Sequence, residues 1–376
     1  MSINEKLTPH FTGDLALFAN WRSENGWNAP KRFLEVDDTL TADIAYRYAS
    51  EGTGLLWKGD FQNGRQLLQA LVRRLDQRSV KLDDLPYPER FHRVRMQRAQ
   101  RARTLGMLLL AFEANHHLAH RRAPDVGLAC SEAYGASTEP YVVPFTEILG
   151  VISAHEWRKK GLYVPALEAT IHAHYGVFAP TRSEYLTLLR DAPLVSGTRA
   201  MDIGTGTGAI ALLLAKRGYR QIMASDTSPR ALVCAQANVE RFNMAKQITV
   251  TQNDLFPNHR ADLIVCNPPW LPGKPSSLLE QAIYDPGQQM LKGFISGVGK
   301  HLLPNGQAWL IMSDLAEHLG LRTRDDLLSD IQRAGLRVIA RTDIRPTHGK
   351  SKDSQDLLND ARSKEVTSLW RLTSVT

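Results

Sequence analysis

The sequence predicts an α/β protein, in which a seven-stranded, mostly parallel sheet is preceded by a mainly helical N-terminal domain. Two observations point there. After an expected helix over residues 184–190, apolar runs of strand length alternate with helix-length segments in strict succession, and such alternation builds a parallel sheet covered on both faces. Before residue 140, strand-like alternation is scarce, whereas residues 66–75 and 105–120 have helical composition and few Gly or Pro. A length of 376 residues suits two domains, and the proline-bearing stretch 123–144 reads as the boundary region. Residues 1–150 are therefore expected to form the helical, substrate-recognition domain and residues 151–376 the sheet domain.

Taken in order, the sheet domain is expected to run strand 200–203, helix 208–217, strand 221–225, helix 229–242, then strands 248–251 and 261–266. Helix 287–301, strand 308–312, helix 322–334 and strand 336–340 continue the alternation. The last apolar run, 366–372, follows a polar, basic loop rather than a helix, so it is expected to return antiparallel as an edge strand. That loop, residues 345–364 with Arg345, His348, Lys350 and Lys352, is a candidate substrate lid.

Composition narrows the function classes. With 43% hydrophobic and 23% charged residues the chain resembles ordinary globular proteins rather than collagenous or disordered ones. No apolar run approaches the roughly 18 residues of a membrane span, and residues 1–10 lack the apolar core of a signal peptide, which predicts a cytoplasmic protein. Cys130, Cys234 and Cys266 are far apart, so neither a disulfide framework nor a zinc site is indicated. The net charge of +7 is concentrated: residues 73–103 hold ten Lys/Arg against four Asp/Glu, with six arginines between Arg90 and Arg103. Arg90, Arg93, Arg98 and Arg101 fall within one helical arc that could contact phosphates or simply be a solvated charged face.

The first strand of the sheet leads into Asp202-Ile203-Gly204-Thr205-Gly206-Thr207-Gly208 and then a helix. Gly204, Gly206 and Gly208 permit a tight turn and a close ligand approach, and the helix start offers free N–H groups. Taken alone the turn is ambiguous, because Gly204-x-Gly206-x-x-Ala209 also fits the dinucleotide fingerprint and Asp226 would suit a ribose in either cofactor. Two features favour S-adenosylmethionine over NAD. Asp202 is placed to face the amino group of a methionine moiety, and Asn253-Asp254 after the third strand can accept from an adenine amino group.

Asn267-Pro268-Pro269-Trp270 follows the fourth strand directly, and ligands of open parallel sheets bind outside the carboxyl ends of the strands. The two prolines make a stiff segment without N–H donors. The Asn267 side-chain oxygen and the Pro268 carbonyl can then accept both hydrogens of a planar –NH2 group, which favours positive charge on that nitrogen in the transition state. Trp270 offers a flat face on which a planar target group could stack. A nicotinamide-dependent oxidoreductase would leave this tetrapeptide without a role, and a catalytically dead binding protein would be expected to lose Asn267.

Together these stretches resemble the class I, Rossmann-like S-adenosylmethionine-dependent amino methyltransferases with a (D/N/S)PP(Y/F/W) motif, over residues 175–376. The resemblance implies that Asp226 binds the cofactor ribose and Asp254 the adenine. It also places Asn267 on the target amine, and Asn267 is expected to bind the cofactor as well. Asp226-Thr227-Ser228-Pro229 and Asn253-Asp254-Leu255-Phe256 look most like the glutamine methyltransferases of release factors and ribosomal proteins. Tyr175-Gly176-Val177-Phe178 instead resembles the segment preceding the catalytic domain of guanine-N2 ribosomal RNA methyltransferases.

The expected activity is methyl transfer from S-adenosylmethionine to an amino or amide nitrogen. Ribosomal or transfer RNA is the first expected partner, with Arg93, Arg98 and Arg101 as substrate contacts. A protein glutamine is the runner-up and a small molecule the third. No metal is expected. Glu113, His116 and His120 could share a helix face as ligands, but a solvated or packed helix face explains them more simply.

Overall fold

The computed structural model describes residues 20–77, 84–346 and 358–375. Arg78 and Lys81 of the basic block, and His348, Lys350 and Lys352 of the lid, lie outside the described residues. The chain divides into two compact units, Met1–Leu85 with His92–Glu156, and Pro86–Phe91 with Trp157–Thr376. Among the described residues no helix is long and apolar enough to cross a membrane.

The N-terminal unit holds more helix than strand, but it also contains a sheet that the sequence does not announce. Strands β1 (Asn20–Trp21), β2 (Arg32–Val36), β3 (Thr53–Trp57), β4 (Leu108–Phe112) and β5 (Tyr141–Pro144) form a five-stranded mixed sheet in the order β1-β5-β4-β3-β2. Helices α1 (Ala42–Ser50), α2 (Phe61–Asp76), α3 (Tyr87–Leu105), α4 (Gly127–Tyr134) and α5 (Phe145–Lys160) accompany it, α3 and α5 each continuing across the division between units. The expected helix over 105–120 is wrong for an identifiable reason. Leu108, Leu109 and Leu110 are all fully buried, and a strand covered on both faces reads as an unbroken apolar run rather than an alternation. Helix α3 stops before Gly106, where a Cβ would lie 2.3 Å from the Trp27 ring. The stretch 123–144 is no linker either, since it supplies α4 and β5 to this unit.

The second unit adds a small hairpin of β6 (Leu162–Val164) and β7 (Ala169–Ile171), then helix α6 (Glu184–Asp191). Its main sheet comprises β8 (Arg199–Ile203), β9 (Gln221–Asp226), β10 (Ile248–Gln252), β11 (Ala261–Cys266), β12 (Leu302–Ser313), β13 (Leu336–Ile344) and β14 (Thr367–Ser374), in the order β10-β9-β8-β11-β12-β14-β13. The first five in that order are parallel, while β14 runs antiparallel to both its neighbours. It is therefore interior, not the edge strand expected; β13 takes the edge.

Helices α7 (Ala209–Lys216), α8 (Pro229–Arg241), α9 (Gln289–His301), α10 (Leu315–His318), α11 (Arg324–Arg333) and α12 (Asn359–Lys364) complete the unit. Local chemistry fixes several starts: Ser228 caps α8 with Pro229 in its first turn, and Thr323 forms a capping box with Asp326 on α11. The period-two pleat divides the core. Leu263 and Val265 of β11 face one buried cluster while Ile264 and Cys266 face the other. Helix α7 is buried from Ala209 to Ala215, so its sequence is apolar all round.

Candidate active site

Four strand ends bring the singled-out segments together. In the parallel register Ile203 of β8 lies opposite Cys266 of β11 and Ser225 of β9, and Asp226 lies opposite Gln252 of β10. The glycine turn at 204–208, Asp226, Asn253-Asp254 and the Asn267 tetrapeptide therefore leave adjacent strands at one sheet edge. That is the carboxyl end, where open parallel sheets bind ligands.

Backbone geometry explains the glycines of the turn. Gly204, Gly206 and Gly208 have φ of +75°, +55° and +82°, a region costly for residues bearing a Cβ. The amides of Gly204 and Thr205 both donate to the Ser225 carbonyl, at 2.9 Å each. The Gly206 amide donates to Asp226 Oδ2 at 3.0 Å, and the Ser228 amide to Asp226 Oδ1 at 2.9 Å. A Cβ on Gly206 would meet nothing within 4 Å, so the backbone there borders open space. On Gly204 it would strike Met290 Cε at 2.5 Å. Met290 was missed by the sequence reading, having no local signal, as was Asp285, whose carboxylate accepts the Met290 and Leu291 amides at the start of α9. An Asp-Pro pair just ahead of an expected helix was the available sign of that cap.

Asp202 is fully buried. Its Oδ2 accepts the Thr205 hydroxyl at 2.6 Å and the Ala211 amide at 3.0 Å, which braces the turn against α7. Its Oδ1 is also buried and has no partner among the described residues. Burial pushes the Asp202 carboxyl up to about 7, with the Asp226 carboxylate adding to the rise. The same surroundings raise the Tyr185 phenol on α6 and hold the Cys266 thiol well above its ordinary value, burial first and Asp202 second in both. Cys266 therefore stays a thiol and supplies no nucleophile.

Asn253 is half-buried, its Oδ1 accepting the Thr251 hydroxyl at 3.0 Å, and Asp254 is exposed. Asn267, Pro269 and Trp270 are half-buried and Pro268 is buried. Trp270 packs against both core clusters and donates its indole N–H to Asn267 Oδ1 at 2.9 Å.

These side chains suit S-adenosylmethionine. Beside an open glycine backbone, a buried carboxylate oxygen without a partner among the described residues and the neighbouring Asp226 and Asp254 offer acceptors to a ligand that carries an amino group, ribose hydroxyls and positive charge.

Outside this region, Arg93 and Arg98 are exposed on α3, while Arg101 is half-buried and paired with Asp76. All three belong to the N-terminal unit. Arg90, in the other unit, stacks on the Tyr87 ring with its guanidinium 5.2 Å from the centroid. Glu113, His116 and His120 do not share a helix. The buried His116 bonds the Tyr141 hydroxyl and the Gly135 carbonyl, and His120 bonds the Gly59 carbonyl.

Residues 168–324 match the family described as the methyltransferase small domain. The chain is 31% identical over 126 residues to a release factor glutamine methyltransferase of Gloeobacter violaceus, a match covering 30% of this chain and 44% of that protein. It is 27% identical over 168 residues to a tRNA1(Val) (adenine(37)-N6)-methyltransferase of Shewanella sp. strain W3-18-1, covering 42% of this chain and 68% of the relative. The chain thus spans about half the length of the release factor relatives it matches. A solved methyltransferase from Pyrococcus furiosus aligns over 59% of this chain and 98% of its own, at 18% identity and a TM-score of 0.42.

Proposed function

We propose that this protein is an S-adenosylmethionine-dependent methyltransferase that methylates a planar amino or amide nitrogen, with an exocyclic amine of an RNA base as its substrate; the match of residues 168–324 to the methyltransferase small domain family supports the class of reaction. The observation that carries the reading is the register of β8 and β11, which starts the glycine turn and the Asn267 tetrapeptide side by side. S-adenosylmethionine supplies an electrophilic methyl on a sulfonium. Asp202, Asp226 and Asp254 offer carboxylates to its positive charge, its ribose and its adenine, and Gly206 leaves room for its approach. Asn267 Oδ1 and the Pro268 carbonyl accept the two hydrogens of the target –NH2. The acceptors strengthen their hold as positive charge develops on nitrogen, which lowers the barrier without a strong base. The N–C bond forms as the C–S bond breaks, and the surplus proton leaves to water.

RNA is favoured as the acceptor by Arg93 and Arg98, which are exposed on α3 in a helix with mostly basic charges. Similarity to release factor glutamine methyltransferases favours a second reading, a protein glutamine. The two separate in one experiment. Extract from cells lacking this enzyme is incubated with the protein and tritiated S-adenosylmethionine, then divided between ribonuclease and protease. Loss of acid-precipitable label to ribonuclease alone supports RNA; loss to protease alone replaces it with the second reading.

A further inference from the structure

Resting on the reading of Asn267 as acceptor for the target amine, we propose that Trp270 is a positioning residue that sets the polarity of the Asn267 amide through its indole N–H. The indole nitrogen can only donate, whereas an asparagine amide presents an acceptor at one end and two donors at the other. With Trp270 Nε1 at 2.9 Å from Asn267 Oδ1, the flipped amide would set donor against donor. The oxygen is thereby kept where the tryptophan sits, and its second lone pair remains for a hydrogen of the target amine.

The tryptophan is itself fixed. Its ring packs on the clusters of both sheet faces, and Leu271, the next residue, donates its amide to the Ile283 carbonyl at 3.1 Å and accepts the Asp285 amide at 2.9 Å. Pro268 and Pro269 stiffen the chain between acceptor and donor. A phenylalanine at 270 could pack similarly but could not distinguish the two ends of the amide. In the flipped state the Asn267 –NH2 would repel the incoming –NH2, so the role is felt in turnover.

Three variants test this: Trp270→Phe, Asn267→Ala and the double variant. Turnover is measured with tritiated S-adenosylmethionine and undigested extract of cells lacking the enzyme, and cofactor-site integrity by calorimetry with S-adenosylhomocysteine. Trp270→Phe should lower kcat roughly 3- to 30-fold, as expected for one misplaced hydrogen bond, with little change in KM or in S-adenosylhomocysteine affinity. In the Asn267→Ala background the same substitution should cost nothing further, because its only target is gone. A raised KM at unchanged kcat, or an equal loss in both backgrounds, would overturn the proposal.

Packing changes are separated by replacing Trp270 with β-(3-benzothienyl)alanine, which keeps the ring shape and lacks the N–H; it should behave as Trp270→Phe. Native turnover in that variant would refute the role of the N–H. The Trp270 indole proton resonance, assigned by its loss in Trp270→Phe, should also move upfield in Asn267→Ala. If Asn267→Ala itself methylates normally, the amine-acceptor reading fails, and that outcome is distinct from failure of the tryptophan's role.

Discussion

Replacing Asp202 by Asn should stabilise the protein at neutral pH while weakening its hold on the cofactor. The carboxyl is fully buried, and its folded value is raised from 3.8 to about 7 chiefly by that burial. The sign follows from proton uptake. Between those two values the folded state binds more protons than the unfolded chain, so the contribution of Asp202 to stability is greatest below about pH 4 and is lost as pH rises through 7. Each pH unit in that window is worth about 1.4 kcal/mol, so ionised Asp202 costs the folded protein on the order of 4 kcal/mol above pH 7. An asparagine carbonyl can still accept the Thr205 hydroxyl and the Ala211 amide, and it never ionises. Denaturant titrations of both proteins at pH 4, 5, 6, 7 and 8 should therefore show the Asp202→Asn advantage growing up to about pH 7 and then levelling. The titrations of groups not coupled to Asp202 cancel in the difference. Calorimetry with S-adenosylhomocysteine should show weaker binding to the variant, since the ligand's amino group loses a charged partner. A stability difference independent of pH would refute the raised carboxyl, and unchanged ligand affinity would refute its place opposite the amino group.

Asp226→Ala should weaken S-adenosylhomocysteine binding by about 1–3 kcal/mol, the cost of losing hydrogen bonds to a charged acceptor, and unchanged affinity in a folded variant would remove the ribose assignment. Gly208→Ala should destabilise the protein by about 1–2 kcal/mol in denaturant titrations, because its φ of +82° is strained for any residue with a Cβ; a smaller loss would mean that the turn relaxes. For an RNA substrate, changing Arg93, Arg98 and Arg101 to Gln should lower affinity and flatten the slope of log K against log salt by about 2–3 units. The pairing of Arg101 with Asp76 makes the lower end the expected result. Normal RNA methylation at every salt concentration would return α3 to a solvated charged face.

The sheet of the second unit was legible because its strands and helices alternate locally, and local alternation is what a sequence writes most clearly. Strand order is not local, which is why β14 was misplaced at the edge. A physical sign was nevertheless present. Edge strands carry charge that discourages pairing with other chains, and β13 bears Arg337, Arg341 and Asp343 with most of its residues exposed. β14 begins with four buried residues, Thr367 to Trp370, as an interior strand should. The N-terminal sheet failed for the opposite reason. Its buried strands are too short and too uniformly apolar to alternate, so Leu108–Phe112 looked like the continuation of the preceding helix.

The site shows a similar division between what spacing specifies and what packing specifies. Gly204, Gly206 and Gly208 could be read directly, since left-handed backbone at a strand-to-helix turn favours that residue type, and Asn267 could be read because two prolines isolate it after a strand. The orientation of a side chain has no such signature. Trp270, taken from the sequence as a face offered to substrate, is turned by contacts with both sides of the sheet until its N–H meets Asn267 Oδ1. Asp202 looked from its position like a ligand contact alone, yet one of its oxygens braces Thr205 and α7 while the other is left buried without a partner among the described residues. Asp202 is thus held buried at a cost in stability, and a residue held in that way is one at which changing stability also changes function.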